Sequence, residues 1–387
     1  MVIDMFVEGK KTVEGSIAIA ETVVNIQPDV VACFPITPST HIAEHLNKAY
    51  TDGRIKTYVA VDSEFAAISV LAGASAAGVR TFSTTASQGL ALMHEVLFAV
   101  SSMRLPVVMV VANRSLNSPL SIWNDHQDTM VERDSGWMQF YCETNQEVVD
   151  TLPLAYKIAE ENKVPVMVNM DGFYLTHAVE QIVIPGRKLI EDYIGEYDPD
   201  IKLDPENPVA LGIYAKPEHN QAFKVQLDED LFVLEKKVPR YADEWYSIIG
   251  REHDNGVIED YYASDADYVI IALSSVCGNV KETVDKLRAE GEKVGLLRVK
   301  LYRPFPYEEV AEILKNVKSI GVFEKMLSMG AKTPLYTDVL TALYEKGITV
   351  PVSSFIGGLA GRDITEEHIT KMFEVIKTGK PIRDYVW

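Results

Sequence analysis

From about Thr12 to Pro185 the chain alternates short apolar runs of β type with helix-like stretches, the pattern of βαβ units wound around a parallel sheet. The candidate strands are 30–34, 56–61, 81–84, 106–112 and 165–169. Three of them run straight into polar residues. "VVACF" gives way to Pro35, Ile36 and Thr37, "KTYVAV" to Asp62, Ser63 and Glu64, and "LPVVMVVA" to Asn113 and Arg114. In an open parallel sheet the carboxyl ends of the strands face one way, so residues just past them collect at one crevice, where such sheets bind ligands. A hydroxyl, a carboxylate and a guanidinium are therefore expected to meet at one site.

A second alternation begins at Asp265, with strands over 268–273, 293–299, 319–323 and near Val352, and helices over 276–290, 307–316 and 335–346. The last element, 366–378, has Thr365 as its N-cap and Gly379 at its stop position. Between the halves, 186–264 turns charged and aromatic, with prolines at 199, 205, 208, 217 and 239. This stretch reads as an extended crossover plus one amphipathic helical piece ended by Pro239. The expected fold class is α/β, two doubly wound α/β domains: 1–230 with the crossover, a linker over 231–263, and 264–387. Residues 64–77 are almost wholly small and aliphatic, which predicts a helix buried on all sides, N-capped by Ser63.

At 387 residues and 47% hydrophobic content the chain can bury a full core. Its longest apolar run, 105–112, is far short of the roughly 20 residues that span a bilayer. The N-terminus lacks the apolar segment of a signal peptide, so a cytoplasmic location is expected. A net charge of −19 argues against nucleic acid or an anionic membrane as the main partner. The three cysteines, Cys33, Cys142 and Cys277, are far apart and form no CxxC pair, so neither a disulfide framework nor a zinc or iron-sulfur site is expected of this chain alone.

Glu64 opens an apolar helix just past a strand end. It reads either as a desolvated carboxylate awaiting a partner or as a first-turn acid complementing the helix dipole. Arg114 is either an ion-pair residue or an anion receptor, its fork suited to a carboxylate. Thr37 sits on a turn stiffened by two prolines. The run Asn124, Asp125, His126, Gln127, Asp128 reads as a proton-transfer loop or as a polar cluster at a helix start. His41-Ile42-Ala43-Glu44-His45 matches the HxxEH pattern, two imidazoles one helical turn apart. Zinc there would need a further protein ligand. The chain has no GxxxxGK[ST] loop, no GxGxxG after a strand, and no Gly-Asp pair.

Taken together, "FPITPST", "VDSEFAAISVLAGASAAG", "STTASQGLALMHEVLF", "LPVVMVVANR", "SIWNDHQDTMVERDSGWMQFY", "VMVNMDGFYLTH", "GEKVGLLRVKLYRPFP" and "GGLAGRDIT" resemble the α subunit of 2-oxoacid:ferredoxin oxidoreductases, most closely the pyruvate enzyme. The likeness runs in order along nearly the whole chain. It implies the pyrimidine-binding domain of a thiamine-diphosphate enzyme followed by a transketolase C-terminal-like domain. It also implies reversible oxidative decarboxylation of pyruvate with coenzyme A to acetyl-CoA and CO2, electrons passing to ferredoxin. Residue by residue, Glu64 takes the place of the carboxylate that contacts N1' of the aminopyrimidine. Thr37 and Arg114 take those of the groups holding the substrate carboxylate, and Pro35, Ile36 and Ser87 line the cofactor.

The metal-diphosphate motif of thiamine-diphosphate enzymes begins with Gly-Asp, so the resemblance assigns that half of the cofactor site, with its Mg2+, to a β subunit. Iron-sulfur clusters fall to partner subunits, including a ferredoxin-like δ subunit, and a γ subunit completes the complex. The isolated chain is expected to be inactive. The sequence departs from the family in having "PITPST" where "PITPQT" is common, and around Tyr241 to Asn255, where the family's glycine-arginine pattern is not followed. A threonine at 37 argues against oxalate-using relatives. Branched-chain 2-oxoacid and 2-oxoglutarate enzymes are alternatives within the family. Outside it stand a zinc peptidase using His41, Glu44 and His45, and a noncatalytic scaffold subunit.

Overall fold

The computed structural model describes residues 10–117 and 119–387. Its first sheet has seven strands in the spatial order Leu301–Arg303, Met138–Tyr141, Val166–Asp171, Val108–Asn113, Thr81–Thr85, Val30–Cys33, Tyr58–Ala60. All neighbours are parallel except Leu301–Arg303, which runs antiparallel to Met138–Tyr141. From Val30–Cys33 the chain steps outward to the edge at Tyr58–Ala60, then returns to the other side of Val30–Cys33 at Thr81–Thr85. That reversal is a topological switch point. The crevice beyond the carboxyl ends of these two strands is where such a sheet takes ligands.

The central strand shows why the sequence folds this way. Along Val108–Asn113, Val108, Val110 and Ala112 enter one core cluster while Met109 and Val111 enter another. Successive side chains point to opposite faces, and helices cover both, so the strand is apolar up to its last residue, Asn113. Each valine or methionine there contributes about 1.5–3 kcal/mol by burial.

A second sheet of six strands has the order Arg383–Tyr385, Val352–Ile356, Ser319–Glu324, Tyr268–Ala272, Val294–Val299, Ile258–Tyr261, with only the last antiparallel to its neighbour. The closing helix, Glu366–Lys377, starts on a capping box between Thr365 and His368, and Gly379 follows with φ +67°.

The halves are tied together. Strand Leu301–Arg303, from the second half, becomes the edge of the first sheet through Leu301 against Phe140. Arg298 and Lys300, just before it, reach Glu147 of helix Asn145–Asn162, at 2.5 and 2.7 Å. Asp171, at the end of its strand, accepts hydrogen bonds from Ser274 Oγ (2.9 Å) and Lys325 Nζ (3.0 Å).

Two expectations are corrected. Pro239 does not end a helix: helices run over Pro217–Glu235 and Val238–Ile249, and Pro239 lies in the first turn of the second. Its missing N–H is one of the donors a helix start leaves unpaired, so the ring costs nothing there. Helix Glu64–Ala76 is not buried on all sides. Phe65 is 43% exposed and Ser69 and Gly73 follow it on the open face, because the sheet and helix Ser87–Ser102 cover only the opposite side.

Candidate active site

Strand Tyr58–Ala60 ends, Ser63 Oγ accepts the Ala66 amide at 3.2 Å, and the helix begins at Glu64. That N-cap fixes where the carboxylate emerges. Glu64 is only 6% exposed. Burial pushes its carboxyl above the ordinary value, against its own backbone amide, which favours the anion. Among the described residues no other side chain hydrogen-bonds or ion-pairs with it. Its nearest wall is Gly89, in the first turn of helix Ser87–Ser102: a β-carbon there would lie 2.5 Å from Glu64 Oε1 and 2.6 Å from Thr85 Oγ1. Thr85 Oγ1 is itself buried without a partner. The carboxylate thus occupies a slot that only glycine leaves open.

Arg114 follows strand Val108–Asn113 and is 7% exposed. Its Nη1 donates to the Thr37 carbonyl at 2.9 Å and its Nε to the Ser121 carbonyl at 2.9 Å. No carboxylate lies within ion-pair distance, and Nη2 makes no hydrogen bond among the described residues. Burial lowers its pKa, opposed by the charge of Asp128. The Thr37 hydroxyl likewise has no partner among the described residues. Thr37 lies in the loop after Val30–Cys33, with Pro35 exposed and Ile36 half-buried beside it. Pro38 packs on Gly172, where a β-carbon would come within 2.5 Å of its ring.

One carboxylate links the two groups. Asp128 Oδ2 accepts the backbone amides of Arg114 (2.9 Å) and Ser87 (3.0 Å), and Oδ1 accepts Asn113 Nδ2 (2.9 Å) and the Thr129 amide (2.8 Å). Burial pushes this carboxyl up to about 7, although all four contacts are donors and so favour the anion.

Ser87, expected to line a cofactor, does not offer its side chain. It is fully buried, and its hydroxyl lies 2.6 Å from the Ser115 carbonyl. The HxxEH pattern does not gather a ligand set. His41 Nδ1 is held by Glu14 (2.6 Å) and His45 Nε2 by Glu21 (2.5 Å), Glu44 faces solvent, and among the described residues no three His, Cys, Asp or Glu side chains are placed to hold a metal ion. Each imidazole has its own carboxylate partner.

The run Asn124 to Asp128 starts the short helix Gln127–Met130 and also joins the two halves: the His126 amide donates to the Lys325 carbonyl at 2.8 Å, and Asp125 Oδ2 accepts the Ala360 amide. Gly89, Asp171 and Lys325 were not singled out from the sequence. A glycine in the first turn of a helix otherwise rich in helix formers was the one local signal; Asp171 and Lys325 lie 154 residues apart and carry none.

Residues 21–243 match the family model described as pyruvate flavodoxin/ferredoxin oxidoreductase, thiamine diphosphate-binding, and residues 266–369 match pyruvate:ferredoxin oxidoreductase core domain II. The chain belongs to this oxidoreductase family. Among relatives in the family, it is 45% identical to pyruvate synthase subunit PorA of Methanosarcina barkeri over 94% of this chain and 92% of that one. To PorA of Methanothermobacter thermautotrophicus it is 40% identical over 97% of both. Ketoisovalerate oxidoreductase subunit VorA of Pyrococcus horikoshii is 38% identical over 98% and 97%. The fold is similar to that of the 2-oxoglutarate:ferredoxin oxidoreductase from Magnetococcus marinus (TM-score 0.70, 20% identity), covering 95% of this chain and 64% of that longer one. A split-gene transketolase matches at TM-score 0.55 and 14% identity, over 96% of this chain and all of that one. In this oxidoreductase family chain, Glu64, Gly89, Arg114 and Asp128 all fall inside the thiamine-diphosphate-binding match. No described helix is long and apolar enough to cross a membrane.

Proposed function

We propose that the chain is the α-type subunit of a thiamine-diphosphate-dependent pyruvate:ferredoxin oxidoreductase, catalysing oxidative decarboxylation of pyruvate with coenzyme A to acetyl-CoA and CO2, reversibly, with electrons passed to ferredoxin. One observation carries this reading: around a single sheet switch point stand a nearly buried carboxylate without a cation and a nearly buried guanidinium without a carboxylate, among the described residues. Uncompensated buried charges are costly, and their retention in a crevice points to a ligand that completes them.

The residues present fit the aminopyrimidine half of thiamine diphosphate. Glu64 lies in a slot that any side chain at 89 would fill, beside the orphaned Thr85 hydroxyl. Bound there, the cofactor supplies the nucleophilic carbon and the electron sink that decarboxylation of a 2-oxoacid requires. Glu64 holds the hydrogen bond at N1'; with its pKa raised, it can share the proton at that atom rather than merely counter a charge. Pro35 and Ile36 form the rim beside it. Arg114 and Thr37, whose Nη2 and hydroxyl have no partner among the described residues, receive the substrate carboxylate, the guanidinium donating in parallel and the hydroxyl adding one bond.

The diphosphate and Mg2+ are assigned to a β subunit, since the chain has no Gly-Asp pair. The iron-sulfur clusters are assigned to the δ subunit and other partners, since the three cysteines here are buried and separate, and a γ subunit completes the assembly. A cytoplasmic enzyme is the corresponding location. Pyruvate is favoured over branched 2-oxoacids because the PorA relatives named stand at 40–45% identity and VorA at 38%.

The test is coexpression with the neighbouring subunits. Ferredoxin reduction should depend on both pyruvate and coenzyme A, with a higher kcat/KM for pyruvate than for 2-oxoisovalerate or 2-oxoglutarate. A higher value for either of those would reassign the substrate. No 2-oxoacid-dependent reduction at all would remove the activity.

A further inference from the structure

We infer that Asp128 is a positioning residue that fixes the distance between the substrate-carboxylate receptor and the activating carboxylate, by holding the backbone amides of Arg114 and Ser87 on one carboxylate oxygen. This rests on the reading of Arg114 and Glu64 given above.

The two amides come from different strand ends. Arg114 follows Val108–Asn113, and Ser87 follows Thr81–Thr85. These strands are paired in parallel along Phe82 to Thr85, but the ladder stops at Thr85 opposite Val111. Beyond that point nothing in the sheet sets how far the two loops diverge. Asp128 Oδ2, at 2.9 and 3.0 Å from the two amides, takes over where the ladder ends. Its other oxygen is anchored by Asn113 Nδ2 and the Thr129 amide, so the carboxylate cannot rotate away. Thr129 Oγ1 is pinned in turn by Tyr141 Oη (2.7 Å) and Asn113 Nδ2 (2.8 Å).

Each end of this tether leads to one functional group. On one side the amide belongs to Arg114, whose guanidinium is aimed by the Thr37 and Ser121 carbonyls. On the other, Ser87 has φ +47°, a strained conformation for a residue with a side chain. It persists with its amide on Asp128 and its hydroxyl on the Ser115 carbonyl. Two residues on lies Gly89, the wall of the Glu64 slot. A carboxylate is needed here because all four contacts are donors. An asparagine would turn its NH2 toward two of them, and the tether would open at one end.

The experiment uses the assembled oxidoreductase and compares Asp128→Asn, Arg114→Lys and the double variant. Asp128→Asn should raise the KM for pyruvate roughly tenfold or more, as expected for loss of hydrogen bonds to a charged group, and leave the KM for coenzyme A unchanged. In the Arg114→Lys background, where the fork being positioned is gone, the same substitution should add little. A merely structural role predicts the opposite split: fewer active sites, unchanged KM, and the same factor in both backgrounds. Either an unchanged pyruvate KM in Asp128→Asn or equal factors in the two backgrounds would overturn the positioning role. If Arg114→Lys itself leaves the pyruvate KM unchanged, the reading of the substrate site falls first and takes this inference with it. Should Asp128→Asn not assemble, Asn113→Ala serves in its place, releasing one anchor of the carboxylate while keeping Asp128. A pyruvate KM rise that disappears in the Arg114→Lys background supports the inference, and an unchanged KM overturns it.

Discussion

Gly89 stands so close to Glu64 that a β-carbon added to it would lie 2.5 Å from Oε1 and 2.8 Å from the carboxyl carbon. It would strike the end of the Glu64 side chain and, at 2.6 Å, Thr85 Oγ1, so the fold can accommodate an alanine by moving the carboxylate and turning the hydroxyl. Gly89→Ala should therefore assemble normally yet lose turnover on the order of 10²-fold, the lower range for lost acid-base assistance. Normal turnover in an assembled Gly89→Ala enzyme would show that the carboxylate need not occupy that slot.

Glu64→Gln keeps the volume and removes the ionisable oxygen. With no cation or other donor side chain among the described residues to compensate, the loss should fall on catalysis and not on folding: turnover down on the order of 10²–10⁴, with melting temperature held or slightly raised, because a buried carboxylate is removed. Exchange of the cofactor's C2 proton reads the effect directly. Exchange as fast as in the parent enzyme would exclude Glu64 as the activating group and revive a scaffold role for the chain.

Thr37 offers two groups, and their effects can be separated. Its carbonyl holds Arg114 Nη1, while its hydroxyl has no partner among the described residues. Thr37→Val preserves the first and deletes the second, so it should raise the pyruvate KM less than Arg114→Lys does. One hydrogen bond to a charged acceptor is worth roughly 1.5–3 kcal/mol at most. Equal effects of the two substitutions would mean that valine disturbs the carbonyl as well.

Glu64, Arg114 and Thr37 could be picked out as candidates in the sequence because each follows an apolar run long enough to be recognised as a strand. The same logic misses Leu301–Arg303, a strand of three residues whose existence depends on finding Met138–Tyr141 across the fold. It also misses what Asp128 does. The residue was visible in "NDHQD", but its four donors come from positions 87, 113, 114 and 129, and only folding brings the first of these to it. Pro239 misled for a local reason: proline reads the same at the end of one helix and in the first turn of the next. The HxxEH pattern left zinc as an alternative because spacing alone cannot say that Glu14 and Glu21 already hold the two imidazoles.

That second pair gives a pH dependence. Burial works against the Glu21 anion, but hydrogen bonds from His45 and Arg54 outweigh it and hold the carboxyl at about 2, against 4.5 for a free side chain. Because the folded-state value is the lower one, the contribution to stability is complete above pH about 4.5 and drains away as pH falls toward 2. Glu21→Gln should melt lower than the parent at pH 7, with the gap narrowing through this window. A gap independent of pH would assign the loss to packing instead.

The joint between the two halves offers the sharpest stability test. Asp171 is fully buried and accepts from His126 Nε2, Ser274 Oγ, Ser275 Oγ and Lys325 Nζ, with Asn124 Nδ2 at 3.2 Å. Burial alone would raise its pKa, yet the charge of Lys325 and the bond with His126 hold the carboxyl well below the usual range. Asp171→Ala leaves Lys325 buried without its anion, which typically costs about 3–5 kcal/mol. Lys325→Met alone should cost less, since Asp171 keeps its hydroxyl and imidazole donors. The double variant should cost less than the sum of the singles, because the second change removes the charge that the first stranded. Urea unfolding of the isolated chain, followed by tryptophan fluorescence, measures all three. Strict additivity would mean that the two groups do not depend on one another, and that Asp171 stabilises the joint through its other donors alone.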